Sequence, residues 1–290
     1  MEFTVKTDTT LLEFLQKAMH GKSRTGIKAM LAKRLVAVDH EVTTQFNQAL
    51  SPGQLVTIGK KSASEKAILR GVTIVYDDDH LVVIDKSAGL LSVATDTGSE
   101  KTAHSIVGTH LKRLNHRSRL FIVHRLDRET SGLMMFVKSK ELQVKLRQNW
   151  QESVLERSYA VVAEGSVEKD KGKIISWLQG TDSLKTYSSQ NEGDGQKAVT
   201  HYKVVQRSDA YTLLDVELET GRKNQIRVHM QDLGHPVAGD KKYGASTDPL
   251  KRLGLHARVL KFTHPATGRA MAFESAPPKE FTQLFNRTTK

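Results

Sequence analysis

The sequence predicts an α+β protein in two parts. A small domain spans residues 1–61, a linker spans 62–70, and a larger domain with a mixed, mainly antiparallel sheet spans 71–290. Three observations lead there. Strand-like runs come in neighbouring pairs with only occasional helical patterns between them, unlike the regular alternation of a parallel α/β layout. The stretch "KKSASEKAILR" is polar and without period, which marks a break between two patterned regions. The 290 residues, 38% hydrophobic and 26% charged, suffice for a sizeable core plus a small companion.

The N-terminal part opens with Thr10 as the cap of a helix whose apolar face is Leu11, Leu12, Phe14, Leu15 and Ala18. The polar "HGKSRT" ends it, and a second helix follows with Ile27, Met30 and Leu31. "LVAVDHEV" reads as two short strands around Asp39–His40, and "GQLVTIG" as another. From Gly71 the strand candidates are "VTIVY", "LVVID", "FIVH", "LMMFVK", "SYAVVAEG", "VTHYKVVQ", "YTLLDVELE" and "ARVLKFT". Helical patterns fall at "SKELQVKLRQNWQ" and "NQIRVHMQDLG". The segment "SSQNEGDGQK" (188–197) reads as a hairpin-like loop, and "GASTDPLKRLG" and "NHRSRL" as exposed basic loops.

Net charge narrows the function. At +12 with a pI near 9.7, the chain attracts polyanions, either nucleic acid or an anionic membrane surface. The first 61 residues carry +4 of that charge. There are no cysteines, so disulfides, thiolate metal sites and thiol nucleophiles are excluded. No window approaches the roughly 20 apolar residues that span a bilayer, and "MEFTVKTDTTLLEFLQ" lacks the pattern of a signal peptide. A cytoplasmic protein that stays off membranes is expected. His229 and His235 have no carboxylate or Cys at ligand spacing, so no metal is expected.

Two constellations carry the functional reading. "GKSRTGIKAMLAKR" puts Ser23, Arg24, Lys28, Lys33 and Arg34 on and beside a helix N-terminus, where backbone N–H groups and basic side chains can grip phosphates together. The segment Leu11 to Ile58 resembles the αL-type RNA-binding domain known from a small-subunit ribosomal protein and from tyrosyl-tRNA synthetases. "FIVHRLDRETSGLMMFVKS" sets a lone Asp127 between Arg125 and Arg128, more than a turn needs. With "VYDDDHLVVIDKSAGL", "ERSYAVVAEG", "LETGRKNQIRVHMQDLGHPVAGDKKYG" and "LHA", it resembles the RluA-type family of RNA pseudouridine synthases. The chain departs from that pattern at Ser87, where proline is usual, at Arg157, where lysine is common, and at Asn224, where histidine is frequent.

The resemblance implies a chemistry that the residue types suit. Isomerising uridine breaks an N-glycosidic bond, turns the base and joins carbon to the same anomeric carbon. Nothing is oxidised and nothing leaves, so no cofactor is expected. By resemblance Asp127 is the catalytic carboxylate, Arg227 its ion-pair partner and Tyr159 the active-site tyrosine that stacks on the base and assists a proton transfer. Arg125 is then the RNA-binding arginine that offsets base flipping, Ile226 packs against the base, and Arg222 adds a phosphate contact before a helix. The expected partner is ribosomal RNA of the large subunit, with transfer RNA as the alternative. A non-catalytic RNA-binding or ribosome-assembly protein is the rival of another class, and a hydrolase would require a second acid and a water site.

Overall fold

The computed structural model describes residues 1–32, 35–39, 41–58, 68–94, 100–180 and 185–285. Its contacts divide into two compact units, one of Met1–Lys66 with Tyr76–Asp78 and one of Ala67–Val75 with Asp79–Lys290.

The smaller unit holds β1 (Glu2–Thr4), β2 (Thr9–Thr10), α1 (Leu11–Ala18), α2 (Arg24–Ala32), β3 (Val36–Val38), β4 (Glu41–Val42), β5 (Ala49–Leu50) and β6 (Leu55–Ile58). Its main sheet has the order β1-β6-β3-β4, and β2 pairs with β5. Thr10 caps α1 by accepting the Glu13 N–H at 3.4 Å. The apolar face of α1 and that of α2 meet in one core: Leu11, Leu12 and Leu15 pack with Ile27, Met30, Leu31 and strand residues Val36, Val38 and Val56.

The larger unit is built on one 12-stranded sheet. In chain order its elements are β7 (Ile68–Leu69), β8 (Val72–Asp77), β9 (Leu81–Lys86), α3 (Ala103–Leu114), β10 (Phe121–Ile122), β11 (Ser131–Val137), α4 (Lys140–Gln148), α5 (Trp150–Ser153), β12 (Val154–Glu164), β13 (Lys171–Gly180), β14 (Thr186–Ser189), β15 (Gln196–Arg207), β16 (Tyr211–Leu218), α6 (Gln225–Asp232), β17 (Leu255–Thr263), β18 (Ala270–Glu274) and α7 (Lys279–Gln283). The sheet order is β14-β13-β15-β16-β12-β17-β11-β9-β8-β7, with β10 on β11 and β18 on β17. All its pairings are antiparallel except β11 with β17, so the expected mixed, mainly antiparallel sheet is present. β11 is buried along its whole length, as its unbroken apolar run demands of a strand covered on both faces.

Several sequence expectations need correction. Residues 68–70, read as the end of the linker, form β7 and its turn against Val72–Thr73. "FIVH" is a strand only at Phe121–Ile122, because Val123 and His124 already lead into the loop that carries Asp127. Segment 190–195 is not a hairpin: β14 and β15 both pair with β13, one on each side. The connection crosses the backbone of β13 so closely that a Cβ on Gly195 would lie 2.6 Å from the Leu178 carbonyl oxygen. Nor is "GASTDPLKRLG" a plain basic loop, since Leu250 and Leu253 are core residues. Arg252 turns inward there, donating to Ser131 Oγ at 2.7 Å.

Candidate active site

Three elements bring Asp127, Tyr159 and Arg227 together. Asp127 sits in the turn between β10 and β11, closed by the Thr130 N–H on the Asp127 carbonyl at 3.2 Å. The residues after it answer why Thr-Ser-Gly follows. Thr130 is buried, Ser131 bonds His256 at 2.8 Å and, with Gly132, forms the parallel pairing with β17. A Cβ on Gly132, whose φ is 108°, would run into the Ala257 backbone. Only glycine allows that approach, and it fixes where the turn begins.

Two buried groups hold the turn from below. The Lys86 ammonium, fully buried, donates to the carbonyls of Leu90 at 2.8 Å, Ser87 at 3.0 Å and Arg128 at 3.1 Å. Burial pushes its pKa down to about 8, against the pull of Glu129 and Asp127. Ser92 Oγ both donates to the Leu126 carbonyl at 2.6 Å and accepts the Leu126 N–H at 3.1 Å. His124 Nε2 accepts the Met135 N–H at 3.0 Å, so its proton is on Nδ1. Burial and the nearby Arg157 push its pKa down to about 3, leaving a neutral ring tilted against Trp150 with centroids 5.2 Å apart.

Arg227 lies on α6, whose start is pinned by Asn224 in a left-handed conformation with φ 56°. Gln225 is bonded to Val199 and Thr200, and His229 to Ser176 and Thr200. The guanidinium makes its tightest contacts with Asp240, Nε to Oδ2 at 2.6 Å and Nη2 to Oδ1 at 2.7 Å. Nη1 is shared between Asn224 Oδ1 at 3.1 Å and Asp127 Oδ2 at 3.4 Å, while the group lies over the Tyr243 ring at 4.8 Å. The expected ion pair with Asp127 is therefore present but is the longer of two. Asp127 keeps 31% of its side chain exposed, and its other oxygen, Oδ1, has no hydrogen-bond partner among the described residues.

Tyr159 comes from β12, where the pairing with β17 skips Arg258 between Ser158 and Tyr159. Such a bulge re-aims a side chain. The ring packs against two core clusters. Burial first, and then Asp127, raise the phenol's pKa, while Arg157 works against them. It stays protonated at neutral pH. Among the described residues its hydroxyl has no partner.

Tyr159 opens onto a cleft of 530 Å³ whose lining includes Arg125, Arg147, Trp150, Arg157 and Arg222. Its one acid, Glu219, is already bonded to His201 at 2.9 Å and Lys173 at 3.3 Å, so the cleft presents a net positive field. Residues 80–232 match the model of the RNA pseudouridylate synthase family. A Bacillus subtilis RNA pseudouridine synthase, YhcT, is 31% identical over 96% of this chain and 93% of its own length. The ribosomal large subunit pseudouridine synthase D of Nitrosomonas europaea is 33% identical over 90% of this chain and 79% of its own. The chain belongs to the RluA-type RNA pseudouridine synthase family. It is an isomerase that acts on RNA. In fold, the synthase is also similar to human RNA pseudouridylate synthase domain containing 4, with TM-score 0.60 and 24% identity over 74% of this chain and 92% of that one.

The other expected site residues of the synthase fall out unevenly. Arg125 is exposed at the cleft. Arg222 also lines it, but its backbone N–H is taken by Gln225 Oε1 at 2.9 Å and its Nε by the Lys197 carbonyl. Only the far guanidinium nitrogens are left for phosphate, not the helix N-terminus expected there. Ile226 is 4% exposed in a core cluster that Tyr159 packs against, so a base could reach only that sliver. In the smaller unit, Ser23 Oγ accepts the Gly26 N–H at 3.1 Å as a helix cap, Lys28 lies over the Phe46 ring at 4.2 Å, and Arg24 is exposed. Lys33 and Arg34 lie outside the described residues. His229, weighed as a metal ligand, is a satisfied core residue with both ring nitrogens bonded.

Sequence reasoning missed Asp240, Lys86 and His124 as parts of the site. Each lies inside a quoted motif, but its work depends on contacts 13, 42 and 11 residues away, which no local pattern encodes.

Proposed function

We propose that the synthase isomerises uridine in large-subunit ribosomal RNA with Asp127 as its catalytic carboxylate. The observation that carries this is an acid with one oxygen on a fixed arginine and the other unoccupied, beside a protonated tyrosine at the mouth of a basic cleft. As the N1–C1′ bond breaks, the sugar carbon becomes electron-poor, and Oδ1 of Asp127 is the atom able to meet it. Arg227 holds that carboxylate in place through its Oδ2. After the base turns, C5 bonds C1′ and gives up its proton, while N1 takes one up, so atoms balance without a cofactor. Tyr159 offers a ring face to the base and a hydroxyl to a proton transfer. Arg125, exposed at the cleft, takes the space or phosphate beside the flipped nucleotide, since flipping costs a few kcal/mol. The smaller unit serves as an αL-type RNA-binding domain.

The ribosomal substrate is supported by relatives named for the large ribosomal subunit. Mapping pseudouridines in total RNA with and without the gene should show sites lost from large-subunit RNA, and losses confined to transfer RNA would reverse that choice. Asp127→Asn keeps shape and removes charge. Pseudouridine formation should drop below detection by mass spectrometry while RNA affinity stays within a few-fold. Substantial turnover in this variant would end the assignment.

A further inference from the structure

Outside the cleft, the stretch from Lys101 to Ile122 contains no Asp or Glu at all. It comprises α3, the loop after it and β10. α3 buries Ala103, Val107 and Leu111 and packs Ile106 and His104 against the same core, while Ser105, Thr109, Lys112 and Arg113 are exposed on its outward side. Lys101, Lys112, Arg113, Arg117 and Arg119 are all exposed, and among the described residues none of them forms an ion pair. Some exposed basic groups elsewhere sit beside acids, as Arg128 does with Glu100 at 2.8 Å and Lys261 with Glu156 at 2.6 Å, whereas this stretch holds no acid of its own.

Shape agrees with charge. Two grooves, of 580 and 470 Å³, run along the outward side of α3 and share Ser105 and Thr109 as the low ridge between them. Arg70, Lys101 and Arg113 rim the first, and Lys112 and Arg119 the second. The 12 residues of α3 give this basic stripe a length of about 18 Å. Small polar residues along the ridge let a bulky, regular, negatively charged backbone approach, and the cations stand on both sides of it. A polyanion with charges repeated along its length fits that layout. The same α3 packs in one core cluster with Leu126, the neighbour of Asp127, so it is rigidly tied to the candidate active site.

We infer that α3 and the loop behind it form a second RNA-binding surface, which grips the phosphates of the substrate's flanking helix while the target nucleotide enters the cleft. The inference rests on the reading of the chain as an RNA-modifying enzyme, but not on the role of Asp127.

The test uses the full-length protein and a quadruple variant, Lys112→Gln, Arg113→Gln, Arg117→Gln and Arg119→Gln, checked for an unchanged melting temperature. Binding is titrated with salt for two RNAs with the same target uridine, one a short single strand and one with a long flanking helix. Each phosphate contact contributes roughly 0.7 to 0.9 to the slope of log affinity against log salt. For the long RNA the variant's slope should flatten by about 3, with affinity about a thousand-fold weaker at about 0.1 M salt. The slope for the short RNA should not move. An unchanged slope on the long RNA, or equal weakening on both, overturns the surface. So does loss of binding to phosphatidylserine vesicles with RNA binding intact, which would assign the stripe to a membrane. Because binding is read without turnover, failure of the Asp127 assignment would appear separately, in pseudouridine formation by the wild type and Asp127→Asn.

Discussion

Arg227 joins two carboxylates with very different surroundings. Asp240 is 1% exposed at its side chain and takes two of the guanidinium's nitrogens, whereas Asp127 is 31% exposed and takes one, at longer range. Burial works against the charge on Arg227, but the Asp240 contacts outweigh it and raise its pKa. A lysine carries the charge but not the fork. Arg227→Lys should therefore leave one carboxylate poorly held. Removing one partner of a buried pair costs about 3–5 kcal/mol, and Arg227→Ala should approach that figure in denaturant unfolding. Arg227→Lys should cost less stability yet still lose most turnover. Turnover near wild type would mean that the orientation of Asp127 does not depend on the fork. Tyr159→Phe asks a separate question, because it keeps the ring and removes the hydroxyl. Retained RNA affinity with a sharp fall in single-turnover rate would assign the hydroxyl to proton transfer, and full turnover would leave stacking alone. At this scale Asp127, Tyr159 and Arg227 were legible because each sits in a motif whose residue types the chemistry needs. Asp240 was not, because an acid in a loop carries no signal until the fold sets it against an arginine.

Helix α6 shows how an element is aimed. It is short, and its inward face is unusually polar: Gln225 and His229 are both buried and both bonded to β15, with His229 also reaching Ser176 on β13. Burial pushes His229 down to about 4, well below the ordinary histidine value near 6.5. The unfolded chain binds the proton from about pH 6.5 downward, and the folded chain only near 4. The contribution to stability is therefore fully present above about 6.5 and is lost as pH falls through 4. His124, at about 3, acts in the same direction. In His229→Gln the decline in unfolding free energy between pH 6.5 and 4 should be shallower than in wild type, by up to roughly 3 kcal/mol across that interval. Parallel acid profiles would show that His229 takes its proton without unfolding. The helical period of α6 and the apolar run of β11 were plain in the sequence. The stripe of α3 was not, because Ala103, Val107 and Leu111 give one buried residue per turn among basic neighbours. β13 was hidden for a related reason, since most of its residues are exposed or half-buried and apolar alternation is the signal that marks a strand.

Across the whole chain, the charge of +12 is spread over both units. A division of labour follows if the smaller unit adds affinity and the larger one holds the chemistry, as Asp127, Tyr159 and Arg227 all belong to the latter. The composition made a polyanion partner legible from the start, but not which cations are available to it. Ser23 is committed to capping α2 and Lys28 is stacked on Phe46, distinctions that depend on packing. Arg24 is exposed and, among the described residues, makes no side-chain hydrogen bond or ion pair. The double variant Arg24→Gln, Lys28→Gln removes two charges and leaves the cap and the core residues Ile27, Met30 and Leu31 in place. If both contact phosphate, the dependence of log affinity on log salt should flatten by about 1.5. Single-turnover rate at saturating RNA should match wild type, because nothing near Asp127 changes. If only Arg24 makes a contact, the flattening should be about half as large, and Arg24→Gln alone should reproduce it. An unaltered slope in the double variant would make the αL resemblance one of fold only, and the field that draws RNA in would then belong to the larger unit by itself.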